Sequence, residues 1–123
     1  MSTLKVATIQ DTSGNNSSTP SEVAQGRAKA WVNFNGSGTV AIRDSFNVTS
    51  ITDNSTGNYT TNFTSAMAND DYAAICGYQA SSSLTYVVNI VSQATGSVRH
   101  QFLNYANGAA LDQSIVNIAV FGD

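Results

Sequence analysis

The chain has 123 residues, enough for one domain, and Asp, Glu, Lys and Arg make up only 11% of it, against roughly 25% in an average soluble protein. Gly, Asn, Ser and Thr supply most of the polar side chains, which is typical of β-rich extracellular and viral proteins. The net charge of −3 and the five scattered basic residues exclude a nucleic-acid surface, and neither a membrane-length apolar run nor a secretory signal pattern is present.

Residues 1–26 differ in composition from the rest of the chain. Leu4, Val6 and Ile9 form a short apolar alternation, and a polar run then extends to the single proline, Pro20. This pattern predicts an extended N-terminal arm that orders on another protein by strand addition. Within the arm, residues 21–26 are expected to form one helical turn, with Ser21 as its cap and Gly26 as its stop.

From residue 27 onward the apolar residues recur with a period of two, which predicts strands. Turn-forming residues divide this region at 35–38, 53–57, 79–83 and 94–96. About eight strands result, near 27–34, 40–42, 46–52, 59–63, 72–78, 84–91, 98–102 and 115–121. The predicted fold for residues 27–123 is therefore an all-β antiparallel β-sandwich or jelly-roll knob.

Two of these strands, 86–91 and 115–121, are apolar on both faces. A sandwich strand needs to bury only one face against its own domain, so a strand that is apolar on both must be covered twice. In a chain this short, the simplest second cover is another copy of the same subunit. The sequence thus predicts a homo-oligomer.

The residues that would carry catalysis do not form a recognisable set. Cys76 is the only thiol and sits among small apolar residues, while His100 alternates with Val98 and Phe102 and is interpreted as an inward or subunit-interface residue. Asp70 and Asp71 are adjacent, so they would point to opposite faces of a strand rather than act as a pair. We therefore expect no enzyme activity, no cofactor and no metal.

Aromatic residues beside Asn and Ser carry the functional content of the sequence. Tyr78, Tyr105 and Asn107 are candidate receptor contacts, because aromatic rings stack on sugars while amides bond to their hydroxyl groups. For Tyr105, packing between subunits is an equal alternative. Trp31 shares a strand face with Lys29 and Asn33, and we interpret it as a subunit-interface residue, with sugar stacking as the alternative.

Several stretches resemble the C-terminal domains of tail-fibre and other appendage proteins of tailed phages, many of them from marine and cyanobacterial phages. The stretches are residues 6–14, 26–36 (GRAKAWVNFNG), 39–48 (TVAIRDSFNV), 59–67 (YTTNFTSAM) and 116–122. The resemblance covers nearly the whole chain and implies a trimeric knob on a virion, made in the cytoplasm of the bacterial host, with no catalytic residues. A long fibre shaft is missing, so the short arm would take over docking to other virion proteins.

Two functions follow from these expectations. The first is a tail-fibre or appendage knob that contributes to attachment to a host surface glycan or protein. The alternative is a capsid decoration, head-fibre or tail-assembly protein that binds only other virion proteins.

Overall fold

The structure, a computed structural model, describes residues 1–79 and 85–122. Within these ranges it contains one short helix and eight strands, in the chain order α1 Pro20–Gly26, β1 Ala30–Asn35, β2 Ala41–Phe46, β3 Val48–Ser55, β4 Asn58–Phe63, β5 Ala73–Gln79, β6 Tyr86–Ala94, β7 Ser97–Asn104 and β8 Ile115–Phe121. The all-β prediction is confirmed. The turn predicted at 79–83 and the predicted strand start at Leu84 fall largely outside the described residues.

The strands form two four-stranded antiparallel sheets. The first sheet has the order β2-β1-β8-β5 and the second has the order β3-β4-β7-β6. Three hairpins, β1-β2, β3-β4 and β6-β7, stay within a sheet, and the other connections cross from one sheet to the other. The last strand is therefore inserted between β1 and β5, which ties the two ends of the strand region into one sheet. The predicted antiparallel sandwich is confirmed.

Alternate residues of the central strands fill the space between the sheets, as the period of two requires. Phe34 from the first sheet packs edge-on against Tyr59 from the second, with ring centroids 5.3 Å apart. The buried cluster takes most of its members from β1, β4, β7 and β8 and consists of Ala30, Val32, Phe34, Tyr59, Phe63, Met67, Tyr72, Val98, Phe102, Val116, Ile118 and Val120. Full burial of side chains of this size contributes about 1.5–3 kcal/mol each before entropy is counted.

The turn between β3 and β4 contains a position that only glycine fits. Gly57 has a φ of +63°, and a Cβ atom built there would lie 2.7 Å from the carbonyl oxygen of Leu111. The Gly57 amide donates a hydrogen bond to Asp112 Oδ1 at 2.7 Å, and the Tyr59 hydroxyl lies at the same distance from that oxygen. This turn is thereby fastened to the loop that precedes β8.

The helix at residues 20–26 has its N-cap two residues earlier than the sequence predicts. Thr19, not Ser21, is the N-cap, because its hydroxyl accepts from the Glu22 amide while the Glu22 carboxylate accepts from the Thr19 amide. Pro20 then occupies the first helical position, where its missing N–H is not needed.

The segment before the helix folds back on itself in a turn in which the Asp11 carboxylate accepts from the amides of Ser13 and Asn15. Ile9 and Ser18 exchange two backbone hydrogen bonds of 2.7 Å. Leu4, Val6 and Ile9 are all exposed. The backbone groups of Ile9 are thus paired inside the segment, whereas the docking prediction required them to be free for another chain.

Candidate functional site: the outer face of the first sheet

The first sheet buries one side against the second sheet and turns the other side outward. We call that other side the outer face and define it by two residues from each strand: Asp44 and Phe46 of β2, Trp31 and Asn33 of β1, Asn117 and Ala119 of β8, and Ile75 and Gly77 of β5. These residues alternate with the buried side chains of the same strands, so the pleat of the sheet places them together.

The strand register aligns four apolar residues across the full width of the sheet. Phe46 lies opposite Trp31, Trp31 opposite Ala119, and Ala119 opposite Ile75. The exposed fractions are 36% for Trp31, 53% for Phe46 and 60% for Ile75. Large apolar side chains that are exposed singly are ordinary, but four aligned across one sheet form a contiguous patch, and such patches mark interaction sites.

The apolar row contains a groove. A cavity of about 430 Å³ lies over the face, lined by Trp31 and Asn33 on one side and Ile75 and Gly77 on the other. Ala119 lies opposite both Trp31 and Ile75, between the two larger side chains. Because alanine and glycine leave the backbone close to the surface, a side chain from another molecule can approach the sheet there.

The neighbouring row is polar and carries its charge at one edge. Register aligns Asp44, Asn33, Asn117 and Gly77 across the sheet. Asn33 Nδ2 donates to Asn117 Oδ1 at 2.6 Å, so the two central amides are already paired with each other. Arg43 reaches over this row, with Nη1 3.4 Å from Asn33 Oδ1 and Nη2 2.6 Å from the Ser114 carbonyl oxygen. The row therefore carries the Asp44 carboxylate at its β2 edge and the Arg43 guanidinium over Asn33.

Of the two predicted interface residues, the structure places only Trp31 on a surface. His100 is 0% exposed and lies in the core, with Phe34, Tyr59 and Phe102 around its ring. It cannot contact a second subunit in the folded domain, so that prediction is wrong. Burial lowers the pKa of His100 to about 4.

Of the three predicted receptor contacts, one is part of the core and two are exposed on a loop. Tyr78 is half-buried, packs edge-on against Phe102 at 5.4 Å, and donates its hydroxyl proton to the Tyr86 carbonyl at 2.8 Å, so it is a core-edge residue rather than a stacking platform. Tyr105, in contrast, is 78% exposed in the loop after β7. Asn107 in the same loop is exposed, and its side-chain oxygen accepts from the Ala109 amide.

The single thiol and the possible metal ligands can be placed in the described structure. Burial raises the pKa of the Cys76 thiol to about 12, so the thiol stays protonated and is a poor nucleophile. Within residues 1–79 and 85–122, no three His, Cys, Asp or Glu side chains come together as metal ligands. No helix in these ranges is long and apolar enough to cross a membrane.

Sequence reasoning missed most of the outer face. Phe46, Ile75 and the pair Asn33–Asn117 were not singled out, because each is unremarkable within its own strand. The sequence did contain one signal, the strand 115–121 that is apolar on both faces. This pattern predicted that the outward side of the strand is covered, but it did not identify the residues of neighbouring strands that lie beside it.

No protein-family model matches the chain, and neither a characterised protein nor a solved structure shows significant similarity to it. The class that the described structure defines is an antiparallel β-sandwich with an uncovered apolar sheet face.

Proposed function

We propose that this protein is a virion appendage knob that assembles as a homotrimer through the outer face and contributes to attachment of a phage to its host. The single observation that carries the assembly part is the exposed apolar surface that Trp31, Ala119 and Ile75 form on neighbouring strands, with a groove between Trp31 and Ile75. The virion setting and the number of three come from the resemblance of the sequence to phage appendage domains. An association surface without a catalytic cluster supports an adhesive or structural role rather than an enzymatic one.

The occupant of the outer face is a second copy of the chain, because the face complements itself. An apolar row buried against an apolar row removes Trp31 and Ile75 from water. Within one subunit Asn117 Oδ1 accepts from Asn33 Nδ2 and Asn33 Oδ1 accepts from Arg43, so a second copy need supply acceptors only for the remaining amide N–H groups. At the β2 edge, Arg43 and Asp44 carry opposite charges, so Arg43 of one copy can face Asp44 of the next copy around a three-fold axis.

The oligomer is tested by light scattering on the full chain at micromolar concentration. The expected mass is three times the 12.9 kDa of one chain. Ile75→Glu places a charge at the β5 end of the buried row and should give monomers that remain folded. The matched control is Val87→Glu on β6 of the other sheet, where the parent residue is also exposed, and this variant should stay trimeric. A monomeric parent, or a trimeric Ile75→Glu protein, contradicts the assembly.

The virion role needs a separate measurement, since the oligomer does not establish where the protein acts. Electron microscopy of particles carrying a labelled copy should place the label on a tail, fibre or other exposed appendage. Antibody against the protein should then reduce adsorption of particles to host cells. Label found only at internal joints between virion proteins, with adsorption unchanged, contradicts host attachment and supports an assembly role. Deleting residues 1–20, the proposed docking arm, should abolish incorporation while leaving the domain folded.

A further inference from the structure

A second cavity lies at the end of the first sheet where the chain enters β1. It has a volume of about 500 Å³ and is lined by residues 27–29, Phe46, Asn47 and residues 64–68. We call it the cationic cleft. Its size falls within the roughly 300–1,000 Å³ of small-molecule sites in proteins. It is distinct from the groove between Trp31 and Ile75, although Phe46 borders both the cleft and the end of the apolar row.

One residue, Asn47, fixes the shape of the cleft. Its Nδ2 donates to the carbonyl oxygens of Lys29 at 3.0 Å and Ser65 at 3.1 Å, and its Oδ1 accepts from the Ser65 amide at 2.7 Å. Its own carbonyl accepts from the Thr64 amide at 3.1 Å. The backbone φ of +56° at Asn47 is one that asparagine tolerates better than most residues. The three segments around the cleft are therefore tied together before any ligand arrives, which lowers the ordering cost of binding.

The charge of the cleft stands out against the rest of the chain. Two of the five basic residues, Arg27 and Lys29, line it, and no Asp or Glu among the described residues does, although the whole chain has a net charge of −3. Neither side chain has an ion pair or hydrogen-bond partner among the described residues. Arg27 is exposed and Lys29 is half-buried, so both cations remain available to an anion that enters the cleft.

The remaining lining adds an aromatic ring and hydroxyl groups to the two cations. Phe46 is 53% exposed and offers its ring to an apolar ligand face. Ser65 and Thr64 supply hydroxyls, of which Thr64 Oγ1 is 2.9 Å from Thr49 Oγ1. Met67 contributes an apolar surface to the lining. This combination suits a sugar ring, whose C–H face stacks on the aromatic ring while its hydroxyls bond to polar neighbours.

We propose that the cationic cleft binds a sugar residue that carries a carboxylate, such as a uronic acid unit of an acidic polysaccharide. The Arg27 guanidinium and the Lys29 ammonium hold the carboxylate, in the charge-assisted geometry that arginine forms with such groups. Phe46 stacks on the ring of the same sugar. Two cations in one cleft suit a single carboxylate, whereas a polyphosphate chain would require a longer basic track. The assignment of the polysaccharide to a host surface rests on the proposed function. The binding of the acidic sugar to the cleft is independent of that function.

The test is calorimetric titration of the full chain with digalacturonate at about 0.15 M salt, the ionic strength at which exposed charges are screened beyond about 8 Å. Binding should be saturable, and the methyl ester of the same sugar and neutral digalactose should bind at least tenfold more weakly. Arg27→Gln and Lys29→Gln should each weaken binding by about tenfold or more, since each removes a charged hydrogen-bonding group. Lys5→Gln, which removes the same charge from an exposed residue outside the cleft lining, should bind as the parent does.

Several results overturn the proposal. They are absence of binding at millimolar digalacturonate, equal binding of the ester, or unchanged binding by both the Arg27→Gln and Lys29→Gln proteins. A sulfated disaccharide that binds in place of the uronate also overturns it, because sulfate would then be the recognised anion. The outcome is separate from that of the virion role. If the protein binds digalacturonate but is missing from particles, the cleft proposal stands and the appendage function is contradicted. If the protein is found on particles but does not bind digalacturonate, the appendage function stands and the cleft proposal is contradicted.

Discussion

His100 sits between the two sheets with none of its surface exposed. The rings of Phe34, Tyr59 and Phe102 have their centroids within 6.0 Å of the imidazole. Neither ring nitrogen has a hydrogen-bond partner among the described residues. Burial of this kind disfavours the charged imidazolium, and it lowers the pKa of His100 from 6.5 to about 4.

Acidification from pH 7 to pH 4 should therefore destabilise the domain through this one residue. In the unfolded chain the imidazole takes up a proton as the pH falls through 6.5, whereas in the folded chain it stays neutral until about pH 4. The unfolded state binds more protons across that window, so the free energy of unfolding falls as the pH falls. At ~1.4 kcal/mol per pKa unit the loss is about 3 kcal/mol, a large part of the ~5–15 kcal/mol that stabilises a typical domain.

Urea unfolding followed by circular dichroism at a series of pH values measures this loss directly. His100→Leu removes the titrating group and the two unpaired nitrogens while keeping a similar volume. We expect this variant to be at least as stable as the parent at pH 7 and to lack the parent's extra decline between pH 6.5 and pH 4. If parent and variant lose stability in parallel over that range, the imidazole is not the cause and the reasoning is refuted.

Two further predictions concern single positions in the sandwich. Gly57→Ala should lower the free energy of unfolding by at least ~2 kcal/mol, because alanine is disfavoured at a φ of +63° and its Cβ would press against the Leu111 carbonyl. The control Gly96→Ala, with no atom within 4 Å of the added Cβ, should change it by under ~0.5 kcal/mol in the same urea assay. The buried Cys76 thiol, whose pKa is raised to about 12, should resist a chromogenic disulfide reagent at pH 8 and react fully in urea; rapid reaction of the folded protein would contradict its burial.

The sandwich itself could be predicted from the sequence because its signal is local. Residues 30–34 and 116–120 alternate between buried and more exposed positions in the structure, as their apolar period of two predicts. The turn near Gly57 was also visible as a cluster of Asp, Asn, Ser, Thr and Gly. The first and last residues of this turn could not be predicted as well, because β3 continues to Ser55 before the chain turns.

The rows of the outer face could not be predicted, since they depend on register between strands that are distant in the sequence. Ala119 meets Trp31 on one side and Ile75 on the other, across separations of 44 to 88 residues. In addition, the β1-β2 pairing shifts after Asn33, so that Arg43 falls outside the regular pairing. Such a register shift changes which residues share a face of the sheet, and no feature of the strand sequence predicts it.

Tyr78 as a receptor contact and His100 as a subunit-interface residue were wrong for a common reason. Both are polar aromatic residues, and a ring with a polar group suits an interface or a sugar as well as a core. For His100 the inward alternative is the one that the structure confirms. In the structure, Tyr78 reaches a backbone carbonyl at the edge of the core, while His100 is held as a neutral ring by the packing around it. Burial of a polar aromatic residue depends on the partners that the fold supplies, and those partners lie on other strands.

The two outward sides of the sandwich differ in a way that gives the proposed trimer an orientation. On the second sheet, hydroxyl and amide side chains bond to one another: Asn62 Nδ2 donates to Thr52 Oγ1 at 2.9 Å, and Asn54 Nδ2 donates to Thr60 Oγ1 at 2.9 Å. Arg99 Nε donates to Asn58 Oδ1 at 2.8 Å on the same sheet. Covering such a surface would require its polar groups to be released from water. The second sheet also exposes Val87, Ile90 and Val91, but all three lie on its edge strand β6 and not in a row across the sheet. The apolar row of the first sheet gains from burial. In the proposed trimer we therefore expect three copies to bring their first sheets together around the axis and to leave their second sheets facing water.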